Sequence, residues 1–131
     1  MRKLMNATSV LIALFFIGAC GSTAPIMNVD NAIIIGDLNK QQVRIAIIKA
    51  ATNRGWIIAD RDENEMRATI TLRSHKAEVR IPYSQKNYSI VFVNATNLDH
   101  GNGRIHANYN RWINNLNTDI RRYMQLEHLS N

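Results

Sequence analysis

Residues 67–92, RATITLRSHKAEVRIPYSQKNYSIVF, alternate between apolar and polar side chains, and this alternation decides the predicted fold. A period of two is typical of strands with one buried face, because successive residues of a strand point to opposite faces. Three neighbouring runs of this kind predict an antiparallel meander. Their apolar positions are Ala68, Ile70 and Leu72, then Ala77, Val79, Ile81 and Tyr83, then Tyr88, Ile90 and Phe92.

The breaks between these runs indicate where the strands end. The apolar positions change from even to odd numbers across residues 74–76, which predicts a turn or a bulge there. Pro82 has no amide hydrogen to give to a sheet, so it marks a strand end or an edge. Residues 84–87, SQKN, then predict the next turn, and the last strand ends near Ala95.

Two amphipathic helices flank the meander. Between residues 38 and 51, apolar residues recur at helical spacing, which predicts the first helix. Asp37 or Asn39 can cap its start, and Gly55 is a typical helix stop. A longer helix is predicted over residues 107–126, with asparagines and Arg121 on its polar face. Its apolar stripe consists of Tyr109, Trp112, Ile113, Leu116, Ile120 and Tyr123 or Met124.

Two short strands complete the prediction, one in the β-branched run at residues 32–35 and one at residues 56–59. The order β-α-β-β-β-β-α predicts an α+β fold, with a mostly antiparallel sheet that carries both helices on one face. We expect a single domain over residues 32–126, followed by a C-terminal tail at 127–131.

The first 19 residues have the layout of a signal peptide. Arg2 and Lys3 precede an unbroken apolar run at residues 10–17, and small residues stand just before Cys20. A spanning helix needs about 20 apolar residues, which is more than this run contains. We therefore expect residues 1–19 to be cleaved from the mature protein.

The sequence IGAC, residues 17–20, resembles the lipobox of bacterial membrane lipoproteins. The resemblance implies that the Cys20 thiol receives a diacylglycerol with chains such as palmitate, and that cleavage falls between Ala19 and Cys20. The resemblance also implies a location. In such lipoproteins an Asp directly after the cysteine is associated with retention at the inner membrane. This chain has Gly21 there, so the periplasmic face of the outer membrane is expected. Residues 20–31 then predict a lipidated tether, because they show no sustained period.

Charge and cysteine content narrow the classes of protein further. The 131 residues include 16 basic and 10 acidic side chains. Loss of Arg2 and Lys3 with the leader leaves 14 basic and 10 acidic residues, a net charge of +4, scattered along the chain. A scattered charge does not predict a nucleic-acid partner. A lone cysteine excludes an internal disulfide.

No catalytic or metal-binding motif stands out. The four histidines form no His-x-His or His-Glu-x-x-His pair, so neither a metal nor a cofactor is expected. Ser74 and His75 are sequence neighbours, whose side chains point apart in an extended chain, and no nucleophile-elbow motif is present. The sequence predicts a protein that is not an enzyme.

The most distinctive polar cluster is NYNRW, residues 108–112. Asn108, Asn110 and Arg111, with His106 just before them, are candidate partner-binding residues that present amides and a guanidinium. The alternative places Tyr109 and Trp112 in the core, with the asparagines capping the helix.

The stretches RGW (54–56), IPYSQKNYSIVF (81–92) and IHANYNRWINNL (105–116) resemble a family of small, uncharacterised bacterial envelope lipoproteins, which implies no known activity. The leading hypothesis is a lipid-anchored, non-enzymatic binding or scaffolding module with a protein or cell-wall partner in the envelope. The alternative is a periplasmic binding protein for a small ligand or metal that uses residues 100–111.

Overall fold

The computed structural model describes residues 22–130. The helices are α1 (Lys40–Asn53) and α2 (Ala107–Leu129). The strands are β1 (Thr23–Pro25), β2 (Val29–Ile33), β3 (Ile57–Asp62), β4 (Glu65–Leu72), β5 (His75–Pro82), β6 (Asn87–Thr96) and β7 (Arg104–His106). Five strands form an antiparallel sheet in the order β2-β6-β5-β4-β3, and β1 pairs with β7 in a second sheet. The prediction of an α+β fold is confirmed.

The predicted meander is confirmed in detail, and its alternation sets the register. Ala68 lies opposite Val79, and Val79 lies opposite Phe92 on the next strand. Met66, Ala68 and Ile70 of β4 and the odd-numbered apolar residues of β5 therefore share one buried face, whereas Leu72 at the end of β4 is exposed. The change of parity falls at a turn of residues 73–74. Pro82 ends β5, as predicted.

The predicted tether over residues 20–31 is too long. Its residues from Thr23 onward belong to the folded domain, where β1 pairs with β7 and β2 already begins at Val29. Each of β1 and β7 is only three residues long, too short to show a period of two, and about 80 residues separate them. The lipobox, Ala19, Cys20 and the signal peptide at 1–19 lie outside the described residues.

The other corrections concern where elements end. Helix α2 continues to Leu129, so the predicted tail at 127–131 is wrong for residues 127–129, and Asn131 lies outside the described residues. Glu127 accepts a hydrogen bond from Lys49 Nζ at 2.7 Å, which fixes this last part of α2 to α1. The acidic stretch at 60–65 is mostly strand, with a turn only at residues 63–64.

The two helices pack against each other in opposite directions, joined by ion pairs at two levels. Lys49 of α1 meets Glu127 near the end of α2, whereas Arg54, just after α1, meets Asp119 in the middle of α2. The Asp119 side chain is buried, and Arg54 Nε donates to its Oδ2 at 2.7 Å. The hydrogen bond from Arg54 lowers the pKa of Asp119, against the opposing effect of burial.

Asp119→Asn is expected to lower stability at neutral pH and to have a smaller effect in acid. Because the pKa of Asp119 is lower in the folded protein than in the unfolded chain, its carboxylate stabilises the fold above the unfolded pKa, near 4. That contribution is lost as the pH falls through the folded value. Urea unfolding of both proteins at pH 7 and pH 3 measures the difference, and an equal gap at the two pH values would contradict the account.

The strands run between two ends of the domain. The Ser22 end holds Ser22, the turn at 73–74, the loop at 97–103 and the start of α2; hydrogen bonds connect these segments. The His128 end holds residues 33–39, the turns at 63–64 and 84–86, and the end of α2. At 1.5 Å per residue, the 23 residues of α2 span about 34 Å from one end to the other.

Candidate functional site

An open groove of about 690 Å³ lies at the His128 end, between residues 33–36 and the last turns of α2. Tyr88 of β6 contributes a third element of its lining. Four residues of α2 recur at helical spacing along the other wall: Arg121, Met124, Gln125 and His128. The groove lies where the end of β2 and the residues just after it face the C-terminal part of α2.

The sheet wall of the groove is an edge with unusual apolar exposure. β2 pairs only with β6 within the described residues, so its second edge has no strand partner there. Beyond β2 the chain stays next to β6, since Ile34 N donates to Lys86 O at 2.9 Å. Ile34 is buried, whereas its neighbours Ile33 and Ile35 are 79% and 88% exposed. Two large apolar side chains therefore project from the edge into solvent.

Gly36 allows this segment to pass close to the end of α2. Its φ is +115°, a conformation that residues with a side chain rarely adopt. A Cβ placed on Gly36 would lie 3.2 Å from Cγ and Nδ1 of His128. The shape of the groove thus depends on a glycine at this position.

Gly36→Ala is expected to destabilise the protein by about 1–3 kcal/mol, because it combines backbone strain with a close contact. Gly101→Ala is the matched control: a Cβ placed on Gly101 would have no atom within 4 Å, and its φ is not left-handed. Thermal or urea unfolding of the two variants measures the difference. Equal stabilities would show that the strain at Gly36 is absent.

The polar side chains that line the groove include one cation, the Arg121 guanidinium. The Tyr88 hydroxyl donates to Asn117 Oδ1 at 2.6 Å and is therefore held in place. Burial raises the pKa of Tyr88, and the Arg121 guanidinium opposes part of that rise. Arg121 and His128 line the groove, and no lining residue there is a carboxylate. An apolar ligand with an acidic group fits this lining.

The sequence-predicted residues lie at the opposite end of the domain. His106 Nδ1 accepts a hydrogen bond from Asn108 N at 3.1 Å and caps α2. The Asn110 side chain accepts from Met27 N at 3.0 Å and donates to Pro25 O at 2.9 Å. Both side chains thus hold the fold together, while Arg111 is exposed. Partner binding by these four residues stays a prediction.

The alternative interpretation of NYNRW is confirmed for its aromatic residues. Tyr109 is buried and meets the Phe92 ring edge-on, with the ring centroids 5.5 Å apart. Burial raises the pKa of Tyr109. Trp112 is half-buried against the core. The predicted cap is wrong, because His106 and not an asparagine caps the helix.

Two histidines stand in the segment before α2, His100 in the loop at 97–103 and His106 at the end of β7. His100 packs on Phe92 with ring centroids 5.6 Å apart, and His106 caps the helix.

Within residues 22–130, no three His, Cys, Asp or Glu side chains are grouped so that they could hold a metal ion. No helix of that same range is both long and apolar enough to cross a membrane.

The chain matches no family model, no curated protein and no solved structure with which it was compared. The groove is the candidate site that sequence reasoning missed. Its signal was the run of three isoleucines at residues 33–35, which the alternation rule treats as an ordinary strand. Only the strand order shows that this run lies at an edge, with two of its side chains uncovered.

Proposed function

We propose that this chain is a lipid-anchored lipoprotein of the bacterial cell envelope and a non-enzymatic module that binds another envelope protein. The anchor is supported by the resemblance of residues 17–20 to a lipobox. The exposed edge of β2 beside an apolar groove carries the proposal of binding. The proposed location is the periplasmic face of the outer membrane.

The proposed ligand is an extended segment of the partner that adds to β2 as a strand. A free sheet edge offers backbone donors and acceptors to such a segment, and adjacent pockets select its side chains. Ile33 ends β2 and Ile35 follows two residues later, a spacing that matches the side-chain period of a strand. Covering them removes apolar surface from water, which favours binding.

The charge of the groove narrows the chemistry of that segment. Arg121 stands on the helix wall with no carboxylate among the lining residues. A segment with apolar residues and one acidic side chain would satisfy both walls together. Complementary charge of this kind chiefly sets the choice of partner and the orientation of binding.

Site-specific photo-crosslinking in the cells that naturally produce the protein tests this proposal. A photoreactive side chain at Ile35 is expected to give one crosslinked product, whose linked peptide is apolar and contains Asp or Glu. The same group at Ile57, an isoleucine that is 75% exposed on the opposite edge strand β3, is the matched control. Equal protein products at the two positions would overturn the proposal.

A synthetic copy of the crosslinked peptide tests the binding mode. It is expected to slow hydrogen exchange of the β2 amides in the purified chain. Arg121→Glu should weaken its binding about tenfold or more. Arg61→Glu makes the same change of charge at an exposed position outside the groove lining and should leave binding unchanged. Binding with no protection of β2 would exclude strand addition.

A further inference from the structure

The folded domain begins almost immediately after the proposed lipid anchor. Ser22 is fixed to the start of α2, because its carbonyl accepts a hydrogen bond from Ala107 N at 3.1 Å. The next residues form β1, so they cannot serve as a flexible spacer. Ser22 is the second residue after Cys20, and a fully extended chain covers at most about 7 Å over that length.

The Ser22 end carries an excess of positive charge. Arg73 lies in the turn after β4, Arg104 begins β7, and Arg111 lies in the second turn of α2. All three are exposed, and none is in an ion pair among the described residues. Asp99 is the carboxylate of the loop at this end.

Exposed apolar side chains accompany these cations. Leu72 stands directly before Arg73 and is 45% exposed, and Ile57 begins β3 at the same end. Cations together with exposed apolar residues are typical of surfaces that lie on a bilayer. Each Lys or Arg near an anionic membrane adds to the attraction, and the effect falls off within a Debye length.

We infer that the Ser22 end is a membrane-facing surface, which Arg73, Arg104 and Arg111 hold against anionic lipid headgroups. This inference rests on the proposed anchor at Cys20. Because α2 leads from this end to His128, the binding groove is then directed away from the bilayer by about 30 Å. The groove would meet partners in the aqueous space and not the membrane that carries the anchor.

Depth-dependent fluorescence quenching in vesicles tests this orientation. The mature acylated chain is placed in vesicles of phosphatidylcholine with phosphatidylglycerol that contain a headgroup quencher. A fluorophore on Ser74→Cys, at the Ser22 end, is expected to be quenched strongly. A fluorophore on Gln85→Cys, at the His128 end, is expected to be quenched no more than in lipid-free protein. Equal quenching of the two, or stronger quenching at residue 85, would overturn the inference.

The cations are tested by a paired set of variants. Arg73→Gln with Arg111→Gln is expected to reduce quenching at residue 74 and to remove its dependence on phosphatidylglycerol. Arg61→Gln with Lys86→Gln removes the same charge elsewhere and should change nothing. Unchanged quenching in the first pair would exclude the role of the arginines.

A different result is expected if Cys20 carries no lipid anchor. In that case the chain does not float with the vesicles, and the mass of its N-terminal peptide shows no acyl groups. Both proposals then fall together. Acylated protein that floats, but shows no difference between residues 74 and 85, contradicts the orientation alone.

Discussion

Cys20→Ser is expected to move the protein from the membrane fraction to the soluble fraction of a Gram-negative host. A serine hydroxyl does not replace the thiol that the proposed diacylglycerol anchor requires, so the variant would carry no acyl chains. One acyl chain alone gives only marginal binding, with a constant of about 10⁴ M⁻¹, and stable anchoring needs two signals. We therefore expect the membrane-bound share to fall from nearly all of the protein to a minor part, measured by fractionation and immunoblotting.

Gly21→Ser is the matched control for this variant. It changes the neighbouring residue and leaves the thiol in place, so the protein should stay with the membranes. A Cys20→Ser protein that still sediments with membranes and resists carbonate extraction would contradict the anchor.

Leu116→Ala is expected to cost about 3 kcal/mol of unfolding free energy, the largest loss among the stability predictions. Leu116 is fully buried on the apolar stripe of α2, where the helix covers the sheet. Its removal leaves a cavity that the surrounding core cannot fill completely. Urea unfolding monitored by circular dichroism measures the loss.

Leu126→Ala provides the comparison on the same helix. Leu126 is 53% exposed, so the same change of side chain should cost less than about 0.5 kcal/mol. A similar loss at the two positions would mean that α2 does not bury the predicted stripe.

The meander and the two helices could be predicted because each depends on a local pattern of side chains. The register of Ala68 with Val79 follows from alternation and from the turn between the strands. The pairing of β1 with β7 could not be predicted, since three-residue strands have no measurable period. The extension of α2 beyond its predicted end at residue 126 depends partly on the hydrogen bond between Lys49 and Glu127, which are 78 positions apart in the sequence.

The candidate site was less accessible to sequence reasoning than the fold. His106 and Asn110 were selected for their chemistry, but their hydrogen bonds are made within the chain. In the sequence, an asparagine whose amide joins the N-terminal segment to α2 cannot be distinguished from one whose amide binds another protein. For Ile33 and Ile35 the error is the opposite one. Apolar residues in a predicted strand are expected to be buried, and only the strand order shows that these two lie at an uncovered edge.

The proposed function depends first on the chemical state of residue 20 in the native protein. Intact-mass and peptide mass spectrometry of the chain purified from its own membranes measures this state directly. The expected result is a mature polypeptide that starts at a thioether-linked, acylated cysteine, with the leader removed. Recovery of a chain whose residue 20 bears a free thiol, or whose first 19 residues are still attached, would contradict the account.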